Sequence, residues 1–403
     1  MRVIVLGAGV IGVTTAYALA SRGYTVTVID RRPEVAAEAS FANGGQLSYD
    51  FASPMGSPGV LRHLADYLLG RDEAFKIQLS FDPGFMLWGT KFLANCLSHN
   101  AQRNTEKLAL LAQASEASLR RIIENTGIAF NHRKSGKLVL FDNINDFERA
   151  KWRAQDATQN DRELTVVTAN DCRRLEPSLD SWGGAPIIGG LFAVNDEVGD
   201  ARAFSEALGK VASDKFGVRF ILGTDVNSIL TLQGKACGVV TDKNEFEADA
   251  VVVCMGVNAA RLLRPVKISA AIQPICGYSI TAPATINAPK IAITDLGRKM
   301  VYSRIGGDLR VAGFADAGAH SDEFRRGRIV ALTNRAMETF GTAADFASIS
   351  SRWIGVRPST PNSLPIVGAS KVPGLYLNIG HGMFGWTLSA ICAEQLVRSM
   401  APR

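Results

Sequence analysis

Three glycines close to the start of the chain have a spacing that can bind a dinucleotide. Gly7, Gly9 and Gly12 form the pattern G-x-G-x-x-G. The first glycine permits a tight turn, the second lets the backbone approach a pyrophosphate, and the third lets a helix pack closely on its strand. Asp30 follows at the end of the next predicted strand, where a carboxylate binds both ribose hydroxyls and disfavours the 2′-phosphate of NADP. The motif indicates a dinucleotide and leaves NAD and FAD open.

A strand, a helix and a second strand must position these residues. The runs RVIVL (2–6) and TVTVID (25–30) predict strands, and VTTAYALASRG (13–23) predicts a helix that ends at a glycine. The N-terminus of that helix offers free N–H groups and a positive dipole end to phosphates. The uncharged run 3–20 with its Ala-Leu-Ala end also resembles a signal peptide, but the glycine turn inside it favours a βαβ unit.

A second polar loop follows the nucleotide-binding unit. It contains Ser40, Asn43, Gly44, Gly45 and Gln46. Backbone N–H groups in such a loop can bind another anionic or polar part of a cofactor. An ordinary surface turn is the alternative interpretation.

The composition predicts a large folded chain with two or three structural units. Of its 403 residues, 47% are hydrophobic and 20% are charged, which excludes a disordered chain and a small disulfide-stapled scaffold. The net charge of +6 is not clustered in a basic stripe, so the sequence does not indicate a nucleic-acid partner. Six scattered cysteines without a CxxC pair, and five histidines without an HxxxH pattern, predict no metal site and a reducing compartment.

The rest of the chain divides into regions of different pattern. Residues 51–100 are rich in proline, glycine and aromatic residues and predict irregular structure, whereas 101–125, 145–160 and 200–215 predict helices. From 265 to 345, short alternating strands precede a helix, which is typical of an antiparallel sheet and a separate substrate domain. The sequence therefore predicts an α/β protein with a Rossmann-like nucleotide-binding domain and a mainly antiparallel substrate domain of the α+β type.

An apolar and aromatic cluster within residues 81–92 has two interpretations. It comprises Phe81, Phe85, Met86, Leu87, Trp88 and Phe92. These side chains are expected to form either a lid or an edge of the core. Because Arg71, Lys76 and Lys91 flank the cluster, a patch that binds a membrane surface is the alternative.

Six segments occur in the order and at the spacings of a known family. They are GAGVIGVTTAYALASRGYTVTVIDR (7–31), ANGGQLS (42–48), NDEVGDA (195–201), QPICGYSIT (273–281), GVRPSTPNSLPIVG (355–368) and LNIGHGMFGWT (377–387). With these segments the chain resembles, over nearly its whole length, FAD-dependent D-amino acid dehydrogenases of the small-subunit type. That family lies within the D-amino acid oxidase and glycine oxidase superfamily.

The resemblance implies two interleaved domains and a non-covalent FAD. The FAD-binding domain would comprise residues 1–50, 165–262 and 346–403, and the substrate-binding domain residues 51–164 and 263–345. No cysteine lies within 355–368, the segment in which sarcosine oxidase relatives attach their flavin covalently.

The resemblance also assigns the cofactor to residues from both ends of the chain. The FAD-binding residues that it implies are Gly7, Gly9, Val10, Ile11, Gly12, Asp30, Arg31, Ser40, Asn43, Gly44, Gly45, Gln46, Val226, Gly256, Gly380, His381, Gly382, Met383, Phe384, Gly385, Trp386 and Thr387. A helix N-terminus beside the flavin C2 carbonyl would stabilise the negative charge of the reduced ring.

Two residues have an implied catalytic function. Arg357 lies in the family pattern G-x-R-P and would bind the substrate carboxylate through two parallel hydrogen bonds. Tyr278 would be a second donor to that carboxylate. A structural ion pair for Arg357 and a core hydroxyl for Tyr278 are the alternatives. Cys276 stands where the family often has lysine, a departure that bears on the substrate more than on the chemistry.

The implied reaction is the oxidative deamination of D-amino acids. A hydride would pass from Cα to N5 of FAD, the imino acid would hydrolyse to a 2-oxo acid and ammonia, and electrons would pass to a quinone or another acceptor. One alternative is a dehydrogenase or oxidase of glycine, sarcosine or a cyclic D-imino acid such as D-hydroxyproline. Others are an NAD-dependent dehydrogenase and a flavoprotein subunit that mainly binds a partner. The expected location is the cytoplasm, and the alternative is a peripheral position on the inner face of the cytoplasmic membrane.

Overall fold

Two large sheets of different type organise the chain. The computed structural model describes residues 1–158, 163–318 and 320–400. The α-helices in these residues, numbered in chain order, are α1 (Val10–Ala20), α2 (Pro58–Arg62), α3 (Leu64–Leu68), α4 (Pro83–Asn95), α5 (Ser98–Thr126), α6 (Ile144–Thr158), α7 (Ala169–Leu175), α8 (Ala201–Phe216), α9 (Ala259–Leu263), α10 (Asp322–Phe340) and α11 (Gly385–Met400). The strands are β1 (Arg2–Leu6), β2 (Thr25–Ile29), β3 (Gln46–Leu47), β4 (Phe75–Ile77), β5 (Lys137–Phe141), β6 (Leu164–Thr168), β7 (Gly189–Ala193), β8 (Glu197–Val198), β9 (Arg219–Ile221), β10 (Val226–Leu232), β11 (Lys235–Thr241), β12 (Glu245–Glu247), β13 (Ala250–Val253), β14 (Gln273–Pro283), β15 (Ala292–Asp295), β16 (Met300–Ile305), β17 (Asp308–Ala317), β18 (Ser351–Ser359), β19 (Ile366–Ala369) and β20 (Leu375–Ile379).

A six-stranded sheet carries the predicted nucleotide-binding unit. Its strands run in the order β19, β20, β13, β1, β2, β9, and β1 is parallel to both of its neighbours. In this register Val5 lies opposite Val28 on one side and Val252 on the other. The strands are continuous apolar runs because both faces of the sheet are covered, by α1, α8 and α11 on one side and by α9, β10 and β11 on the other. The predicted strand–helix–strand unit is confirmed.

The larger sheet is mainly antiparallel. Its strands run in the order β18, β14, β17, β16, β15, β5, β7, β6, with β4 paired to the side of β17, and the pairs β15–β5 and β4–β17 are parallel. Helix α10 packs on this sheet through buried side chains that include Leu332, Ala336 and Phe340. The predicted antiparallel block within 265–345 and its helix are confirmed.

The sheets divide the chain at points other than the predicted domain boundaries. β6 and β7 lie within the predicted FAD-binding range 165–262 or at its edge, yet both belong to the larger sheet, where β7 pairs with β5. β18 lies within the predicted range 346–403 and pairs along its whole length with β14 of the larger sheet. Sheet membership depends on pairing with strands far away in the chain, and the local residue pattern does not encode that pairing.

Part of the segment 51–100 is more regular than the sequence predicts. Helix α4 begins with Pro83 in its first turn, and the Asp82 carboxylate accepts a hydrogen bond of 2.8 Å from the Phe85 backbone N–H. Proline at this position and an aspartate cap are both typical of a helix start, so the helix begins despite the glycine and proline around it.

Helix α4 divides the cluster within 81–92 between core and surface. The rings of Trp88 and Phe92 are buried and stacked, with centroids 4.9 Å apart. Phe81, Met86 and Leu87 are exposed. None of the helices in residues 1–158, 163–318 and 320–400 combines the length and the hydropathy that a bilayer-spanning helix requires.

A buried polar cluster holds residues 48–51 against the larger sheet. Lys137, on β5 of the larger sheet, forms an ion pair with Asp196 and donates hydrogen bonds to the Ser48 hydroxyl (2.8 Å) and the Phe51 carbonyl (3.0 Å). The Asp196 carboxylate also accepts backbone N–H bonds from residues 49 and 50, at 2.7 and 2.8 Å. One buried ion pair therefore holds the chain that leaves the glycine-rich loop against the larger sheet.

Asp50 lies in the same cluster, and no cation among the described residues pairs with it. It is almost fully buried, and one of its carboxylate oxygens has no hydrogen-bond partner within that part of the chain. Burial and the nearby carboxylate of Asp196 raise the pKa of Asp50 to about 6. In the unfolded chain an aspartate titrates near ~3.9, so ionisation of Asp50 between pH ~4 and ~6 lowers the free energy of unfolding as the pH rises.

Replacing this carboxylate by its neutral isostere tests that electrostatic cost. We expect Asp50→Asn to raise the free energy of unfolding by about 1–3 kcal/mol at pH 8, and the gain to vanish near pH 4, where the folded wild type holds a proton on Asp50. Chemical denaturation at both pH values measures the difference. Asp214→Asn, at an exposed position of α8, is the matched control, and a gain of the same size at both pH values would contradict the account.

Candidate active site

A cavity of about 810 Å³ lies between the two sheets. Every residue predicted for the cofactor or the substrate lines this cavity except Gly12. A Cβ atom at Gly12 would come within 1.8 Å of the Gly7 carbonyl oxygen, so this glycine is required for the close packing of α1 on the turn rather than for access to a ligand.

The glycine turn brings the N-terminus of α1 to the cavity wall. Gly7 has a φ of 104°, and a Cβ there would lie 2.7 Å from the Cys254 carbonyl oxygen. The first N–H of the helix, at Val10, donates to the Ser40 hydroxyl at 3.0 Å. The Ser40 proton is therefore free to be donated into the cavity, where it adds to the positive end of the helix dipole.

Asp30 closes the same end of the cavity at the tip of β2. Its two carboxylate oxygens accept backbone N–H bonds from Ala8 (2.6 Å) and Arg32 (2.7 Å). Burial raises its pKa, although those two hydrogen bonds act in the opposite direction. Arg31 lies beside it, paired with Glu38. The arrangement fixes a carboxylate at the edge of the cavity, with lone pairs available to hydroxyl groups.

The second glycine-rich loop is anchored to the larger sheet. The Ser303 hydroxyl donates to the Gly44 carbonyl at 2.7 Å, and the Gln46 amide donates to the Ile293 carbonyl at 3.1 Å. The Asn43 side chain accepts the Gly45 N–H at 3.0 Å. The loop therefore crosses from one sheet to the other with its backbone at the cavity wall.

Two further predicted positions lie on the other side of the nucleotide-binding sheet. Val226 begins β10, and Gly256 follows β13 with a φ of 55°. A Cβ at Gly256 would meet no atom within 4 Å, so the space beside this backbone is open. Both residues line the cavity.

The segment 380–387 forms the wall at the start of α11. Gly380 and Gly382 have φ values of 79° and 54° and let the backbone turn between β20 and the helix. The His381 side chain is buried, its Nε2 has no hydrogen-bond partner among the described residues, and burial lowers its pKa to about 3. The imidazole is therefore neutral at physiological pH.

The last residues of this segment are partly structural. The Trp386 indole donates to the Gly199 carbonyl at 3.1 Å and packs on Phe130 and Phe204, in the core around α1. The Thr387 hydroxyl accepts the Ser48 N–H at 3.0 Å. Together they hold the first turn of α11 beside the chain that follows the glycine-rich loop.

Arg357 lies on β18 in the wall formed by the larger sheet. Its guanidinium lies over Gly277 of β14, where a Cβ would come within 2.3 Å of Nη2, and it donates to the Phe314 carbonyl at 3.2 Å. Burial lowers its pKa. Within the described part of the chain no carboxylate lies at ion-pair distance, which leaves most of its donors free for an anion in the cavity.

Tyr278 follows Gly277 on β14 and lies opposite Ile354 of β18, whereas Arg357 lies opposite Ile275, so the two side chains have different neighbours. Its ring is fully buried against α10, and its hydroxyl lies beside the Asp316 carboxylate without a well-formed hydrogen bond. Burial and Asp316 raise its pKa, so the hydroxyl stays protonated. Asp316 itself is neutralised by a two-pronged pair with Arg328, at 2.8 and 2.9 Å.

The sequence reasoning missed several residues that line the cavity beside Arg357. The Trp353 indole packs flat over Gly355 on the same face of β18, and Phe314 has a φ of 59° at a bulge of β17. Tyr67 and Lys299 complete this wall. The alternation of residues on β18 could have placed Trp353 beside Arg357, since both lie on the face of the strand that carries Gly355.

These features fit a dinucleotide with an anionic pyrophosphate and a polar ring. Backbone N–H groups and the helix dipole of α1, the Asp30 carboxylate and the unpartnered His381 nitrogen all border one continuous space. That space extends to a free guanidinium, so a second, carboxylate-bearing molecule fits at the other end.

Solved structures of known proteins share this fold. Glycine oxidase from Geobacillus kaustophilus matches with a TM-score of 0.76 at 20% identity, covering 99% of this chain and 94% of that protein. The FAD-bound L-alpha-glycerophosphate oxidase from Mycoplasma pneumoniae matches with a TM-score of 0.73 at 17% identity, covering 100% and 95%.

Curated relatives match along the whole chain. A D-amino acid dehydrogenase from Rhodopseudomonas palustris (strain HaA2) is 35% identical over 408 residues, which cover 100% of this chain and 95% of that protein. D-amino acid dehydrogenase 2 from Ralstonia nicotianae is 36% identical over 416 residues, covering 100% and 97%. A family model described as DAO, FAD dependent oxidoreductase, matches residues 2–399. The chain belongs to the DAO family of FAD-dependent oxidoreductases.

Proposed function

We propose that the protein is a D-amino acid dehydrogenase that converts D-amino acids to 2-oxo acids and ammonia. One observation carries this proposal. The guanidinium of Arg357 lies in the cavity wall, and no carboxylate among the described residues pairs with it. An α-amino acid brings the carboxylate that such a site needs. The names of the relatives that match over the full chain give the same substrate class.

We further propose that FAD, held without a covalent bond, occupies the part of the cavity bordered by the two glycine-rich loops. The α1 N-terminus and Ser40 would bind the pyrophosphate, and Asp30 the ribose. The backbone of residues 43–46 and 380–385 would border the ring. When bound, the flavin supplies the two-electron oxidant that accepts a hydride from the substrate Cα.

The chain's own residues would orient the substrate and keep water away. Arg357 would bind the carboxylate through two parallel hydrogen bonds, and the ring of Trp353 beside it would border the substrate. Tyr278, predicted as a second donor to that carboxylate, keeps its hydroxyl protonated, but this hydroxyl is buried beside Asp316, so we assign the carboxylate to Arg357. Loss of the Cα hydride and of one proton from nitrogen leaves an imino acid. Addition of water to its C=N bond then gives the 2-oxo acid and ammonia.

We also propose a quinone as electron acceptor and a peripheral contact with the inner face of the cytoplasmic membrane. The support is an apolar rim of exposed side chains, comprising Leu79, Phe81, Met86 and Leu87. Lys91 follows on the same helix, α4, and Arg71 precedes the rim, so cationic groups flank apolar ones. This combination favours binding to a membrane surface that contains anionic lipids. Quinones dissolve in the apolar interior of such membranes.

Removing the guanidinium tests the proposed substrate site. We expect Arg357→Ala to raise KM for D-alanine by roughly 30-fold or more, because truncating one partner of a buried charge pair costs about 2–5 kcal/mol. FAD should stay bound. Steady-state kinetics with an artificial acceptor and the visible flavin spectrum measure both effects.

Arg352→Ala is the matched control, since Arg352 is exposed on the same strand and does not line the cavity. Arg357→Lys should give an intermediate KM, because the charge remains and the planar fork is lost. An unchanged KM in Arg357→Ala would rule out the proposed anchor.

Removing the carboxylate at the tip of β2 tests the proposed cofactor site. We expect Asp30→Ala to weaken FAD binding by roughly 10- to 100-fold, the usual effect of losing a charged hydrogen-bond acceptor. Titration of apoprotein by flavin fluorescence measures the dissociation constant. Asp214→Ala controls for loss of a surface charge. FAD affinity equal to that of the wild type would contradict the assignment.

Polar substitutions test the proposed membrane contact. The triple variant Phe81→Ser, Met86→Ser, Leu87→Ser should lose most of its co-sedimentation with vesicles that contain anionic lipids, because its exposed apolar area is gone. Activity with a water-soluble acceptor should persist. Leu232→Ser, at an exposed position of β10, is the control. Equal sedimentation of the triple variant and the wild type would refute this contact.

A further inference from the structure

We infer that Tyr67 and Phe75 form the subsite for the substrate side chain, with Lys299 as the residue that positions them, and that this subsite selects apolar and aromatic substituents. The inference rests on the proposed function, since it extends the same site beyond the carboxylate anchor. All three residues line the cavity.

A chain of hydrogen bonds places this subsite next to the anchor. Arg357 donates to the Phe314 carbonyl at 3.2 Å, and the Phe314 N–H donates to the Lys299 carbonyl at 3.3 Å. Both Phe314 and Lys299 have left-handed backbone, with φ values of 59° and 54°. Such strained non-glycine residues are rare, and they cluster at ligand sites. A substrate held at Arg357 therefore has Phe314 and Lys299 as its neighbours.

The aromatic rings arrive on a separate segment, the strap, which comprises residues 57–77. The strap ends in β4, which pairs in parallel with the last residues of β17 and places Phe75 opposite Ala315, one residue beyond Phe314. The rings of Tyr67 and Phe75 meet edge to face with centroids 5.0 Å apart, and both are largely buried. The strap thus carries an aromatic wall to the position beside the anchor.

Lys299 binds the strap through Tyr67, Phe75 and Asp72, and its ammonium donates a hydrogen bond of 3.5 Å to the Tyr67 hydroxyl. Its ammonium lies 4.7 Å from the centroid of the Tyr67 ring and 5.9 Å from that of Phe75. It also forms an ion pair of 2.9 Å with Asp72, whose other oxygen accepts the N–H groups of residues 74 and 75 at 2.8 Å. Although burial acts to raise it, the hydrogen bond from Lys299 lowers the pKa of Asp72, so this carboxylate stays ionised at neutral pH.

This pairing determines the kind of side chain that the subsite accepts. Since Asp72 already neutralises Lys299, the subsite offers aromatic surface and no uncompensated charge from these residues. Aromatic faces stabilise apolar and aromatic groups through burial and through edge-to-face contacts. The inference is therefore a preference for D-amino acids such as D-phenylalanine over D-alanine.

The test compares two substrates in the flavin-loaded, full-length enzyme. We expect Tyr67→Ala and Phe75→Leu each to lower the ratio of kcat/KM for D-phenylalanine to that for D-alanine by roughly tenfold or more, as for the loss of several methylene-sized contacts in an apolar pocket. Lys299→Met should lower the same ratio and raise KM more than it lowers kcat, because the wall is misplaced while the chemistry is intact. Leu69→Ala, an exposed position of the strap outside the cavity, should keep the wild-type ratio.

The outcomes are distinguishable. A ratio unchanged within about twofold in Tyr67→Ala and Phe75→Leu, with D-alanine still oxidised, would overturn the subsite and leave the proposed function intact. No oxidation of any D-amino acid by the wild type would overturn both. Flavin content and thermal melting report folding, and Tyr67→Leu replaces Tyr67→Ala if the latter does not fold.

Discussion

The guanidinium of Arg357 lies in the wall of the cavity, and no carboxylate among the described residues pairs with it. Removing an ion from water costs about several kcal/mol unless nearby groups compensate it. At Arg357 the described residues supply one carbonyl, from Phe314, and one glycine, Gly277 of β14, that makes room for the guanidinium. The nearby carboxylate of Asp316 is occupied by Arg328 on the far side of β17. The positive charge therefore remains available to an anionic ligand.

The interleaved chain brings this charge to the end of a nucleotide-binding cavity. β1 and α1 supply the glycine turn, and α11, from the other end of the chain, packs against α1 in the same core. The Lys137–Asp196 pair then holds the segment after the second glycine-rich loop against β5 of the larger sheet. Removing one partner of a buried pair leaves an uncompensated charge, so both Lys137 and Asp196 are needed to hold this segment in place.

The sequence predicts the parts of the site that local spacing determines. The glycine turn and Asp30 follow from their spacing, because tight turns and helix starts need particular residues at fixed positions, whereas the GHGMFGWT segment is assigned to the cofactor only by the resemblance to the family. The sequence does not predict that the strap, Trp353 and Phe314 line the cavity, because pairing between distant strands brings them there. The predicted boundary near residue 164 differs from the sheets for the same reason, because β7 joins the larger sheet by pairing with β5, and β6 joins it by pairing with β7. Phe81 and Phe92 show most directly what the sequence pattern does not predict. Both belong to one aromatic cluster, yet Phe81 is fully exposed and Phe92 is buried.

The central claim is that Arg357 recognises the carboxylate of a D-amino acid. Anaerobic mixing of the flavin-loaded wild-type enzyme with D-alanine, L-alanine and D-alaninol, which lacks the carboxylate, tests it most directly, with loss of the visible flavin absorbance as the signal. The account predicts fast bleaching by D-alanine and little by the other two. Bleaching by D-alaninol at a rate comparable to that with D-alanine would contradict it.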